Sequence, residues 1–229
     1  MSAENYYNVK ERIRTACMKS GRAEEDVVLI AVSKTKPVEE IMEIYNAGQR
    51  VFGENRVQEM CAKMPELPDD VKWHLIGHLQ HNKVKYLMPR TAMIHSVDSL
   101  KLAETISKEA VKNGIIMPVL IEVNVAEEES KFGVSMAELE GFIRQLAPLP
   151  GICVKGLMTV APFVEDPEDN RPVFRSLKDI SVDINNKKID NIYLSELSMG
   201  MTNDFEIAIE EGATMIRVGT AIFGSRSYT

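Results

Sequence analysis

The hydrophobic positions of this chain fall into two alternating rhythms. Short apolar, β-branched runs read as buried strands, and stretches with apolar residues three and four apart read as helices. The helical rhythm comes first: Tyr6, Val9, Ile13, Ala16 and Cys17 precede Gly21 and predict a leading helix. A first strand follows at about residues 27–33. Val38, Ile41, Met42 and Tyr45 then share one helical face, with Glu39 and Glu40 in the first turn and Gly48 past the end. Further strands are expected at 50–53, 72–77, 93–96, 118–124, 152–160, 191–195 and 214–219.

Helical stretches fill the gaps. One runs from about Asn55 to Met64 and stops before Pro65, a short one runs towards Met88, and one capped by Asp98 or Ser99 ends at Gly114. Ser135 with Glu138 predicts a capping box ahead of Leu139, Phe142, Ile143 and Leu146, and Asn203 with Glu206 a second ahead of Phe205, Ala208 and Ile209. Between them Val173, Phe174, Leu177 and Ile180 mark a longer helix. Eight strands alternating with helices imply a parallel sheet. Eight such units in 229 residues predict one α/β domain over residues 1–229, a single (β/α)8 TIM barrel with an extra N-terminal helix. A doubly wound open sheet is the structural rival.

Composition narrows the function. Thirty-four acidic against 27 basic residues give a net charge of −7, which disfavours nucleic acid and anionic membrane surfaces as partners. No block of like charges is longer than Glu127-Glu128-Glu129, and no apolar run approaches membrane-spanning length. Cys17, Cys61 and Cys153 are scattered and odd in number, as in a reduced, cytoplasmic chain, and the N-terminus lacks the apolar core of a secretory leader.

A barrel carries its chemistry at the carboxyl ends of its strands. The first strand ends towards Lys34 and Lys36, with Pro37 suited to the first helical position. A lysine at such a junction can act as a Schiff-base amine. Period-2 spacing puts both lysines on one face and does not choose between them. The last two strand ends carry Ser198-Met199-Gly200 and Gly219-Thr220, small and hydroxyl residues suited to a phosphate, although turns use them equally. Arg217 sits mid-strand between Ile216 and Val218, so it needs a partner inside the barrel: a ligand, or a buried acid such as Glu122. His74, His78 and His81 do not complete a metal site, because Gly77 breaks their register and no cysteine or carboxylate joins them.

Several segments together resemble one family. They are Ala31-Val32-Ser33-Lys34-Thr35-Lys36-Pro37, Phe52-Gly53-Glu54-Asn55, residues 73–83, Gly156-Leu157-Met158-Thr159, residues 197–202 and residues 216–224. In order, they are similar to the pyridoxal phosphate homeostasis proteins, which share the barrel of the alanine racemase N-terminal domain. The resemblance implies that pyridoxal 5'-phosphate (PLP) is held as an internal aldimine on Lys36, with its phosphate at Ser198, Met199, Gly219 and Thr220. It further implies that Arg217 faces the pyridine nitrogen and that Asn55 and His78 lie near the cofactor's rim. An arginine can only donate there, so the nitrogen stays unprotonated and the ring is a weak electron sink.

The implied role is a non-catalytic PLP carrier or regulator, with PLP-dependent apoenzymes as recipients. The alternative is a PLP-dependent amino-acid racemase or decarboxylase. Related racemases carry a second, β-rich domain, and only nine residues follow Thr220. A monomer is therefore expected.

Overall fold

The computed structural model describes residues 2–126 and 132–224; the acidic patch at residues 127–129 lies outside them. Strands β1 (Val28–Val32), β2 (Val51–Glu54), β3 (Lys72–Leu75), β4 (Thr91–Val97) and β5 (Met117–Asn124) pair in sequence order. A two-residue strand, β6 (Val134–Ser135), adds to the end of β5. The barrel then continues through β7 (Ile152–Met158), β8 (Glu196–Met201) and β9 (Met215–Val218), and β9 pairs with β1. Eight parallel strands thus close on themselves, which is the (β/α)8 barrel that the alternation predicts. The surrounding helices are α1 (Ser2–Lys19), α2 (Val38–Asn46), α3 (Val57–Lys63), α4 (Leu100–Lys112), α5 (Leu139–Leu146), α6 (Arg171–Asn186), α7 (Phe205–Glu210) and α8 (Thr220–Phe223).

Alternation along each strand separates two cores. Outward-facing residues such as Leu29, Ala31, Phe52, Trp73 and Ile216 pack under the helices in the main core. Inward-facing Ile30, Met93, Leu120, Met158 and Met215 form a smaller cluster within the barrel. The extra helix α1 buries Tyr6, Val9, Ile13, Ala16 and Cys17 against α2, α7 and α8, which ties the first element of the chain to the last.

The local differences from the expected elements have physical causes. The seventh barrel strand is not residues 191–195, which lie outside any strand, with Asn191 at φ 62° ending a turn and Tyr193 exposed. It starts at Glu196, where pairing with Gly156 sets the register. Its Ser-Met-Gly-Met stretch lacks β-branched residues and carries an irregularity before Met201, which hides it from a propensity reading. The segment running to Met88 is a 3-10 turn, His81–Tyr86, and not a full helix. Neither capping box forms as expected. Ser135 belongs to β6 and donates to the Glu138 carboxylate at 2.5 Å. Asp204, not Asn203, precedes α7; it accepts from the Met201 amide at 2.7 Å and from Asn170 Nδ2 at 2.8 Å.

Close approach fixes the glycine at 156. A Cβ there would lie 1.8 Å from the Glu196 carbonyl oxygen, directly in the β7–β8 ladder. Gly141, inside α5, has open space instead. Gly156→Ala should therefore destabilise the fold by about 3 kcal/mol or prevent folding, while Gly141→Ala should add roughly 0.5–1 kcal/mol. Urea unfolding of both variants checks this, and equal effects would contradict the packing account.

Candidate functional site

The carboxyl end of β1 is shaped by a turn that the sequence pattern does not reveal. Val28 and Ile30 face inward, in register with Met215 and Arg217 of β9. Val32 lies against Gly219, where a Cβ would sit 3.2 Å from the Val32 carbonyl oxygen. The strand ends there, two residues short of Lys34. The Lys36 amide donates to the Ser33 carbonyl at 3.1 Å, and Thr35 takes φ 64°. Such a turn breaks period-2 alternation, so the two lysines do not share a face. Lys34 stands between Ser33 and Thr35 within this turn. Lys36 runs outward: its Nζ donates to the Phe223 carbonyl at 2.8 Å and stands 3.3 Å from Glu40 Oε2. Both lysines, with Val32, Gly219 and Thr220, line a cavity of about 40 Å³.

A buried polar cluster clamps this turn from outside. Ser33 Oγ donates to Glu54 Oε1 at 2.7 Å. Lys63 Nζ donates to the Ser33 carbonyl at 2.8 Å and to Glu54 Oε1 and Glu59 Oε1, each at 2.7 Å. Glu59 Oε1 also accepts from the Thr35 amide at 2.5 Å. Glu54 is fully buried, and desolvation raises its pKa against the lowering effect of Lys63. Its Oε2 has no hydrogen-bond partner among the described residues.

Inside the barrel, Arg217 is buried and donates through NH1 to Ser198 Oγ at 2.6 Å and through NH2 to the Thr159 carbonyl at 2.7 Å. Burial lowers its pKa to about 10, with Glu122 and Asp204 opposing, so it stays cationic at neutral pH. Ser198 Oγ also lies 3.0 Å from His95 Nδ1, and His95 Nε2 lies 2.8 Å from His74 Nδ1. Burial holds both imidazoles neutral, His74 at about 4 and His95 well below its ordinary value. Glu122 goes the other way: desolvation, helped by Asp98 and opposed by Arg217, raises it to about 7.

The rim on the β3 and β4 side holds the remaining candidates. Gly77 sits so close to Asn55 that a Cβ would lie 2.5 Å from the Asn55 carbonyl oxygen. His78 is exposed, stacks on Phe132 with ring centroids 4.2 Å apart, and has Nδ1 3.5 Å from Asp98 Oδ2. His78, His81, Asp98 and Ser99 line a cleft of about 440 Å³.

The structure therefore brings Lys34, Lys36, Gly219 and Thr220 together, with Arg217 two residues before Gly219 in β9. Two residues expected at the phosphate have partners or packing within the protein. Ser198 lies within β8 and not in a loop after it, and its hydroxyl is engaged by Arg217 and His95. The Met199 side chain is fully buried in the outer core, so only its backbone could meet a ligand. Sequence reasoning gave no role to His95, Thr159 or the Glu54–Lys63 pair. The first had a legible signal: like Arg217, His95 is a polar residue in mid-strand, between Ile94 and the end of β4. Among the described residues, no three His, Cys, Asp or Glu side chains are grouped to hold a metal ion, and no helix is long and apolar enough to cross a membrane.

Fold and site together define a class. The model of the alanine racemase N-terminal domain matches residues 7–227. The pyridoxal phosphate homeostasis protein of Aquifex aeolicus (strain VF5) is 49% identical over 228 residues, 99% of each chain. Its counterpart in Escherichia coli (strain K12) is 37% identical over 232 residues, 99% of this chain and 97% of that one. This chain belongs to the pyridoxal phosphate homeostasis protein family. Among solved structures, PipY of Synechococcus elongatus PCC7942 with PLP bound superposes with a TM-score of 0.85 at 36% identity, covering 98% of this chain and all (100%) of that one. The alanine racemase of Clostridium difficile 630 shares the fold at a TM-score of 0.75 and 14% identity, and the match covers 57% of that chain.

The raised Glu122 carboxyl has a testable sign. Unfolded, it titrates near 4.3; folded, at about 7. The folded state binds the extra proton between those values, so Glu122 makes stability fall as pH rises through that window. His74, at about 4 when folded, makes stability rise with pH up to its ordinary 6.5 and partly masks the effect. Glu122→Gln removes the falling part alone. Its stability relative to the unaltered protein should improve by up to about 3 kcal/mol between pH 5 and pH 8. A difference that stays constant in urea unfolding at the two pH values would show that the carboxyl ionises normally.

Proposed function

We propose that this chain binds PLP at the carboxyl ends of its barrel strands and serves PLP homeostasis as a carrier, not as a catalyst. The observation that carries the reading is the seating of the lysine-bearing turn after β1 against Gly219-Thr220, where β9 passes into α8, on the side of the barrel where Arg217 faces inward. The PLP-bound PipY structure and the names of the relatives support it.

Of the two lysines, the geometry favours Lys34 as the tether over Lys36, the residue to which the sequence resemblance pointed. The alternation of Val28 and Ile30, carried past the end of β1, would turn Lys34 inward, whereas the Lys36 amine is held by Phe223 and Glu40. Gly219 lets the backbone come close to a phosphate, the exposed Thr220 hydroxyl adds a donor, and Met199 contributes through its backbone. Ser198 is assigned to holding Arg217 instead of the phosphate. Asn55 and His78 stand at the rim.

When bound, PLP supplies an aldehyde for the lysine amine and a ring that can draw electrons from an attached amino acid. Arg217 offers the ring nitrogen only donors, so it holds that nitrogen without a proton and limits the electron draw. Such a site retains the cofactor without strongly activating an amino acid. Recipients would be PLP-dependent apoenzymes in the cytoplasm, served by a monomer. The observation that favours the second reading, an amino-acid racemase or decarboxylase, is Glu122, a carboxyl that exchanges its proton near neutral pH beside Arg217.

The purified protein should show the absorbance of lysine-bound PLP. Lys34→Ala should abolish the band and Lys36→Ala should keep it, and the opposite pattern returns the tether to Lys36. Thr220→Ala should weaken PLP retention about tenfold, the loss of one charge-assisted hydrogen bond. Interconversion of L- and D-amino acids at enzyme-like rates would overturn the carrier reading.

A further inference from the structure

A barrel of this size normally fills its interior with branched apolar side chains. Here His74, His95, Ser198 and Arg217 form one unbranched hydrogen-bonded line, at 2.8, 3.0 and 2.6 Å between successive partners. His95 and Ser198 are fully buried, and His74 and Arg217 nearly so. The two imidazole rings lie 5.0 Å apart between centroids, tilted by 56°. Nothing in the PLP reading uses either histidine directly.

The order of protons along this line is determined by its last member. Arg217 has donors and no acceptor, so Ser198 Oγ must accept from NH1. Ser198 then keeps its own proton to give, and His95 Nδ1 lies in reach. His95 accepting on Nδ1 carries its proton on Nε2 and gives it to His74 Nδ1. In the reverse order Ser198 Oγ would accept twice, and its proton would have no acceptor among the hydrogen bonds of the described residues. A buried polar group left so is costly, and a fully satisfied line is rigid.

We propose that His95 is a positioning residue for Arg217: by accepting from Ser198, with His74 behind it, it fixes the guanidinium and thereby the donor that Arg217 presents to the PLP ring. The proposal rests on the PLP reading given above. Its other anchor is the Thr159 carbonyl, which takes NH2, while Thr159 Oγ1 donates to the Val123 carbonyl at 2.8 Å. Both terminal nitrogens of Arg217 are thus pinned from within the barrel. Loss of the His95 acceptor frees the Ser198 hydroxyl to rotate and releases one of the two pins.

The test has two arms. In PLP-free protein with ¹⁵N-labelled histidine, NMR should find His95 neutral at pH 7 with its proton on Nε2. A proton on Nδ1, or a charged ring, would overturn the proposal. In the second arm, His95→Asn keeps a group near the Nδ1 position for Ser198, while His95→Gln reaches only towards His74. His95→Gln should weaken PLP retention about tenfold and shift the pH titration of the bound-PLP absorbance. His95→Asn should stay within about twofold of the unaltered protein, although both lower Tm. Loss of retention in proportion to loss of Tm in both variants would make His95 a core filler and overturn the proposal. Failure of the unaltered protein to show any bound-PLP absorbance would overturn the PLP reading itself, and the tautomer arm separates that result from a failure of the hydrogen-bonded line.

Discussion

The pairing of β1 with β9 is the contact on which the site depends. It joins the first strand to the last, Val28 to Met215 and Ile30 to Arg217, and so closes the barrel. Parallel pairing at this sequence separation carries a large loop-closure entropy, offset here by apolar burial on both faces of the sheet. The helix α1 reinforces the closure from outside by packing on both α2 and α8. With that register fixed, Val32 must lie against Gly219, and the lysine turn must stand beside Thr220.

Two polar systems then divide the work on either side of β1. The Glu54–Lys63–Glu59 cluster holds the turn from the helix side and supports Thr35 in a left-handed conformation that a β-branched residue adopts only under constraint. The Arg217–Ser198–His95–His74 line holds the barrel interior. Both bury groups that water would otherwise solvate, and each is tolerable because nearly every donor and acceptor finds a partner. The unpaired Glu54 Oε2 is the exception, and it sits at the clamp on the lysine turn.

The barrel was legible because the βα alternation is a bulk property of the pattern, robust to errors at single elements. Arg217 was legible for the same reason: a charged residue in the middle of an apolar strand has to face something. The site was less legible wherever tertiary pairing overrides local preference. Residues 191–195 look more like a strand than 196–201, yet the ladder to β7 selects the second. Lys34 and Lys36 look equivalent until the turn at Ser33 separates them, and that turn is imposed by Lys63 and Glu59 from another helix. Ser198 reads as loop chemistry because its partners, His95 and Arg217, lie 103 and 19 residues away.

The central claim is that this register brings one particular amine to a PLP site at the junction of β9 and α8. Borohydride reduction of the PLP-loaded protein, followed by peptide mapping of the modified lysine, tests it most directly. The account predicts a single modified residue, Lys34. Modification of Lys36 instead, or of surface lysines without preference, would contradict it.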